Sequence, residues 1–150
     1  MSELQEALDR SMRGASAFTR SFMGDDQWDA AQVAGFVNSV RNITIATVTK
    51  AGEPHAVVTI AGCLDDRVHF TVHPESLLKR HLDRQPTVGF SVTTSRNQIM
   101  GKGTAVLVAR SLDDPALIDR LATANEGGSF TPDGWDGLIY RIEIDRIFAS

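Results

Sequence analysis

The chain has 150 residues, 42% apolar and 23% charged. That is ordinary for a packed fold and long enough to bury a core as one domain without staples, so disorder and fibrous repeats are set aside. A formal charge of -4 repels phosphate backbones, which argues against nucleic acid, and Cys63 as the single cysteine excludes an internal disulfide and a multi-cysteine metal site.

The opening MSELQEALDRSM interrupts each apolar pair with charge, so it reads neither as a secretory leader nor as a membrane span. The expected setting is the cytoplasm, away from membranes. Ser2 with Gln5 has the form of a capping box, and Leu4, Ala7, Leu8 and Met12 follow at helical spacing. Gly14 and Gly24 bracket a less periodic stretch. Asp29 then precedes Val33, Phe36, Val37 and Val40 at three-and-four spacing, which predicts a second amphipathic helix. Both N-terminal helices, within residues 1–41, are expected to pack on the single domain that spans 1–150.

From Asn42 the pattern changes to strands. NITIATVT is rich in β-branched residues, Lys50-Ala51-Gly52-Glu53 supplies a turn, and Pro54 begins a return strand, PHAVVTIAG. Asp65-Asp66 predicts another turn, and VHFTV a third strand. Ser76 to Arg84 is helical in its spacing of Leu77, Leu78 and Leu82, and Pro86 stops it. TVGFSVTT and QIMGKGTAVLVAR form two more strands around a turn at Ser95-Arg96-Asn97, with Gly101 and Gly103 marking a bend or close backbone approach. Ser111, Asp114 and Pro115 open a helix carrying Leu117, Ile118 and Leu121 and ending near Asn125. EGGSFTPDGWDG is a surface loop by composition, and LIYRIEIDRIF closes the chain as an alternating strand. The sum is a mainly β (α+β) fold, a six-stranded antiparallel barrel with peripheral helices. A doubly wound nucleotide fold would need a glycine-rich first turn and regular strand–helix alternation, and neither occurs.

This order resembles the pyridoxamine 5'-phosphate oxidase-like split β-barrel superfamily of flavin and deazaflavin oxidoreductases. GEPHAVVTIAG is similar to the family's second strand, which lies against the flavin ring; VHFTVHPESLLKRHLDRQPTVGFSV to its strand, phosphate-binding helix, proline and strand; NQIMGKGTA to its glutamine-to-glycine strand; and YRIEIDRIF to its closing strand. The resemblance covers roughly residues 36–150. It implies a homodimer that binds FMN, or alternatively the deazaflavin coenzyme F-420, at the subunit interface.

The cofactor-binding residues so implied are His55, Val57 and Thr59 on the second strand, Thr71 and Ser76 at the phosphate end, Lys79 and Arg80 beside them, and Gln98 from the partner subunit. The two positions after the family serine are usually basic and here are Leu77 and Leu78. Lys79 and Arg80 come two residues later, a rotation of about 200° around a helix.

Other residues have plainer readings. His69 and His73 flank Thr71 at even spacing and, with His81, are candidates for haem, but no third metal ligand is evident, so no metal is assigned. Trp28, Trp135 and Tyr140 read first as core or seam aromatics. Asp25-Asp26 and Asp65-Asp66 read as solvated turns, and Cys63 has no neighbouring base to activate it. No catalytic residue is assigned, because the cofactor performs the hydride chemistry in such enzymes. A non-enzymatic flavin- or haem-binding module and an interaction protein on a decayed barrel are the alternatives.

Overall fold

The computed structural model describes residues 2–23, 27–125 and 128–150. The turn expected at Asp25-Asp26 and the start of the loop, Glu126 and Gly127, lie outside the described residues.

Six strands form a closed antiparallel barrel: β1 (Asn42–Val48), β2 (Pro54–Leu64), β3 (Arg67–Val72), β4 (Thr87–Thr93), β5 (Gln98–Arg110) and β6 (Leu138–Ala149), in the spatial order β1-β2-β3-β6-β5-β4. Around it lie α1 (Glu3–Arg13), α2 (Ala17–Met23), α3 (Ala30–Val40), α4 (Leu77–Arg84) and α5 (Pro115–Ala124). No described helix is long and apolar enough to cross a membrane.

Local chemistry accounts for most boundaries. The Ser2 hydroxyl accepts from the Gln5 amide at 3.1 Å, acids occupy the first turn of α1 and arginines its last, as the helix dipole favours. The reciprocal half of that cap is absent. The Gln5 side chain turns instead to Asp9 and to the backbone N–H of Ala30, tying α1 to the start of α3. Asp29 and Gln32 do make a complete capping box. Asp65 and Asp66 both take positive φ (53° and 58°), the geometry of a two-residue hairpin turn that matches strand twist.

Helix α2 is an addition to the sequence reading. Only Met23 of it is buried, while Phe18 and Phe22 stack on each other in solvent, so it has no apolar stripe for a periodicity to detect. The loop before β6 also differs from a purely surface segment. Phe130 is buried beneath α5 with Leu117, Leu121 and Ile139.

The main core fills the barrel with Ile43, Ile45, Val68, Phe70, Ile99 and Ile147, and it is continuous with Leu4 and Leu8 of α1 and with Val33 and Val37 of α3. Ser11 of α1 adds a polar tie: its hydroxyl donates to Ala7 O and accepts from the Ile147 amide at 2.9 Å. On β5 the two glycines are spaced for contact. A Cβ at Gly101 would lie 2.2 Å from Arg146 O, and one at Gly103 2.3 Å from Glu143 O, beside the bulge that shifts the β5–β6 register.

The barrel is split at β2. Up to Ile60 this strand pairs with β1, and from Ala61 onward with β3. Beyond that point the backbone of Cys63 faces no strand on the β1 side. The Asn38 side-chain amide on α3 takes the missing place, accepting from Cys63 N–H at 2.7 Å and donating to Cys63 O at 3.0 Å.

Candidate functional site

Strand β3 delivers the chain to α4 across His73, Pro74 and Glu75, and Ser76 caps the helix. Its hydroxyl accepts from Lys79 N at 3.1 Å and donates to His73 O at 2.7 Å, so both its donor and one lone pair serve the turn. Leu78 is buried in the main core, whereas Leu77 is 54% exposed. The Lys79 ammonium is held by the Asp83 carboxylate one turn on, at 2.5 and 2.6 Å, and that bond raises its pKa. Arg80 is exposed and carries the remaining cation of this turn.

Thr59 and Thr71 meet where β2 changes partners. Their hydroxyls lie 2.6 Å apart, and Thr59 also donates to Thr71 O at 2.7 Å. Val57 is half-buried against the main core. His55 stands two residues earlier and faces away from α4's first turn toward its last. Its ring meets His81 edge to face at 4.7 Å and 85°, and its Nδ1 is buried without a partner. His81 is held in turn by Thr47, with Nδ1 2.8 Å from Oγ1. Burial, then His55, then the Arg84 guanidinium keep the His81 imidazole below its ordinary pKa.

Six of the eight sequence-derived residues therefore fall into three groups, and Val57 lies outside them against the main core. Ser76, Lys79 and Arg80 share the first turn of α4 and its cap, Thr59 and Thr71 share one hydrogen-bonded pair, and His55 joins His81. Gln98 stands apart at the start of β5, opposite Thr93, separated from β3 by β6 on one side and by β4, β1 and β2 on the other. Among the described residues no hydrogen bond joins its side-chain amide to the others.

On the opposite side of β2 from His55, Val57 and Thr59, whose ladder partners Thr47, Ile45 and Ile43 are buried, lies an open sheet face. Val58, Thr44, Ser91, Met100 and Phe148 form one row across five strands, and Ala56, Ala46, Gly89, Lys102 and Arg146 the next. Val58 is 68% exposed, and its neighbours in the β1, β2 and β4 parts of this face are small and uncharged. Met100 on β5 is also exposed, and Lys102 and Arg146 bring charge to the β5–β6 end of the face.

Two hollows lie elsewhere. One of about 560 Å³ runs between Arg41, Ile60, Asn125 and the 129–133 loop, and a charged one of about 370 Å³ lies between α1 and Arg67, Arg141 and Glu143; neither takes a wall from the eight residues. Among the described residues no cluster of three His, Cys, Asp or Glu side chains is placed to hold a metal ion. His69 is buried with Nδ1 on Arg67 O; desolvation lowers its pKa and outweighs that hydrogen bond, which by itself would raise it. Burial pushes the Cys63 thiol up to about 12. Trp28 packs edge to face on Phe36, Trp135 covers Gly137 and Tyr140 stacks on Phe70, so all three aromatics have packing roles.

Thr47, Asp83 and Asn38 were not singled out from the sequence, and His81 was read only as a candidate for haem, not as the partner of His55 and Thr47. The Lys79–Asp83 pair was legible as an i,i+4 spacing. The Thr47–His81 and Asn38–Cys63 contacts join residues 34 and 25 apart, and no local pattern announces them.

No family model and no curated protein matches this chain in sequence. Solved structures do match in fold. A conserved hypothetical protein of Mycobacterium tuberculosis aligns with a TM-score of 0.64 at 22% identity, covering 81% of this chain and 84% of that one. A pyridoxamine 5'-phosphate oxidase-related, FMN-binding protein of Nostoc punctiforme aligns at 0.56 and 14% identity, covering 78% and 80%. The FAD-binding protein of Mycobacterium smegmatis aligns at 0.59 and 16%, covering 83% and 96%. The fold is a six-stranded split β-barrel shared with these structures.

Proposed function

We propose that this chain is a flavin-dependent oxidoreductase that works as a homodimer, two copies meeting through the β2-β1-β4-β5 face. The observation that carries this reading is the open face whose β2, β1 and β4 parts are small and uncharged around the exposed Val58, in a barrel of the same fold as named FMN- and FAD-binding proteins. Pairing two copies covers the exposed Val58 and Met100 and gives Gln98 of one chain a way to reach the Thr71–Ser76 end of the other.

The fit to FMN is good for the ring and thin for the phosphate. The small residues Ala56, Val58, Thr44 and Ala46 leave room for a planar group. At the phosphate end Arg80 is a cation with no acid partner among the described residues, the first-turn amides of α4 add partial positive charge, and the hydroxyls of Ser76 and Thr71 are already engaged. The family's basic positions are filled by Leu77, in solvent, and Leu78, in the core. This chain should consequently hold phosphate less tightly than a double-arginine site.

Flavin bound at this seam supplies hydride transfer. The protein's own part is to orient the ring on the β2 face, to exclude water by closing two copies over it, and to anchor the phosphate with Arg80. The deazaflavin coenzyme F-420 suits the same apolar face and is the second cofactor to test. Leu77 and Leu78 favour one further reading, a module that binds flavin or haem loosely without turnover.

The test is titration of the purified protein with FMN, F-420 and haem separately, each followed by absorption and by light scattering for mass. FMN binding by a dimer, weakened at least tenfold by Arg80→Glu, supports the proposal. Binding by a strict monomer, or no binding of FMN or F-420, refutes it, and haem binding alone moves the assignment to the loose module.

A further inference from the structure

The join between α4 and the β1–β2 hairpin is made by imidazoles. Leu78 and Leu82 bury one side of the helix, and His81 lies between them with Nδ1 2.8 Å from the Thr47 hydroxyl. Thr47 and His55 oppose each other directly in the β1–β2 ladder, and the His55 ring closes edge-on over His81 at 4.7 Å. One contact thus takes a side chain from each of α4, β1 and β2.

This contact has no place for a proton. A charged imidazole donates through both nitrogens and needs an acceptor for each. His55 Nδ1 is buried with no partner, and His81 Nδ1 meets a hydroxyl that serves as well in the neutral pair. The charged or titratable groups acting on His81 are His55 from β2 and Arg84 from its own helix, while β1 offers only Thr47. Arg84 already extends to Val48 O, and Asp83, the nearest acid on the helix, is bound to Lys79. No carboxylate is among the groups acting on His81, so none offsets a new positive charge there.

We propose that Thr47, His55 and His81 form an acid-sensitive latch that holds α4 on the hairpin while the His81 imidazole is neutral and lets it lift when His81 is protonated. Lifting moves Ser76, Lys79 and Arg80 away from Thr71, so acid would also loosen a phosphate held there; that consequence rests on the flavin reading above, whereas the latch itself does not. The sign follows from the lowered pKa of His81. Docking is complete above the free imidazole value near 6.5, and it weakens as pH falls through that value toward the docked one, by up to about tenfold per pH unit for each proton taken up.

Hydrogen–deuterium exchange on the full chain without added cofactor tests this, read at about pH 7.5 and about pH 5, either side of the free value, with intrinsic rates corrected. The α4 amides should lose at least tenfold more protection than those of β5 and β6, and His81→Gln should remove the difference. Equal loss in all elements, unchanged α4 protection, or full pH dependence in His81→Gln overturns the latch. If His81→Gln does not fold, the ring resonances of the native protein decide, since His81 must titrate in step with α4 exposure. FMN titration at the higher pH alone bears on the flavin reading, so the two fail separately.

Discussion

The Asn38 amide bears on whether the barrel opens where it should. Replacing it with alanine removes the bonds of 2.7 and 3.0 Å to the Cys63 N–H and C=O, the place where β2 has left β1. Each such bond is worth about 1 kcal/mol net, and a buried N–H left unpaired costs about 1–3 kcal/mol, so Asn38→Ala should destabilise the fold by about 2–4 kcal/mol. Urea unfolding followed by circular dichroism should show the midpoint lowered by about 1–2 M with an unchanged slope, taking slopes of about 1–3 kcal/mol per M. Asn38→Asp separates the two bonds. The carboxylate still accepts from Cys63 N–H but faces the carbonyl with no proton, so this variant should be as unstable as alanine near neutral pH. It should approach the native protein as pH falls below about 4, when the acid can donate again. A loss under about 0.5 kcal/mol for Asn38→Ala, or an Asn38→Asp variant as stable as the native protein at neutral pH, would mean that the amide does not replace a strand.

Gly103→Ala should cost about 1–3 kcal/mol, because the new methyl meets the Glu143 carbonyl at 2.3 Å, while Gly35→Ala, in an open position of α3, should stabilise by about 0.5–1 kcal/mol; equal effects in thermal unfolding would refute the steric account. Cys63, buried and with its thiol pushed up to about 12, should resist iodoacetamide in the native protein and react once urea unfolds it, as thiol counting would show. Asp83→Asn releases the Lys79 ammonium one turn from Ser76, and FMN binding measured by fluorescence should tighten severalfold if the phosphate sits at α4; unchanged affinity places it elsewhere.

The elements, their order and the barrel class were legible because they depend on short-range physics. Alternation along β1 and β6, the caps at Ser2, Asp29 and Asp114, the Asp65-Asp66 turn and the close glycines of β5 each involve a few neighbouring residues or a backbone preference. Helix α2 was not, because its aromatic pair faces solvent and contributes no core stripe.

For the candidate site the division falls between residue type and residue partner. Chain order alone placed Thr71 at the end of β3, Ser76 at the cap of α4 and Gln98 at the start of β5. Only the tertiary structure decided that the two threonines bond to each other, that Leu78 is core and Leu77 surface, that Asn38 completes the edge at Cys63, and that His55 turns to His81. Such contacts depend on which strands become neighbours when the barrel closes. Closure is settled by burying one shared core, a property of the whole chain that no local window contains.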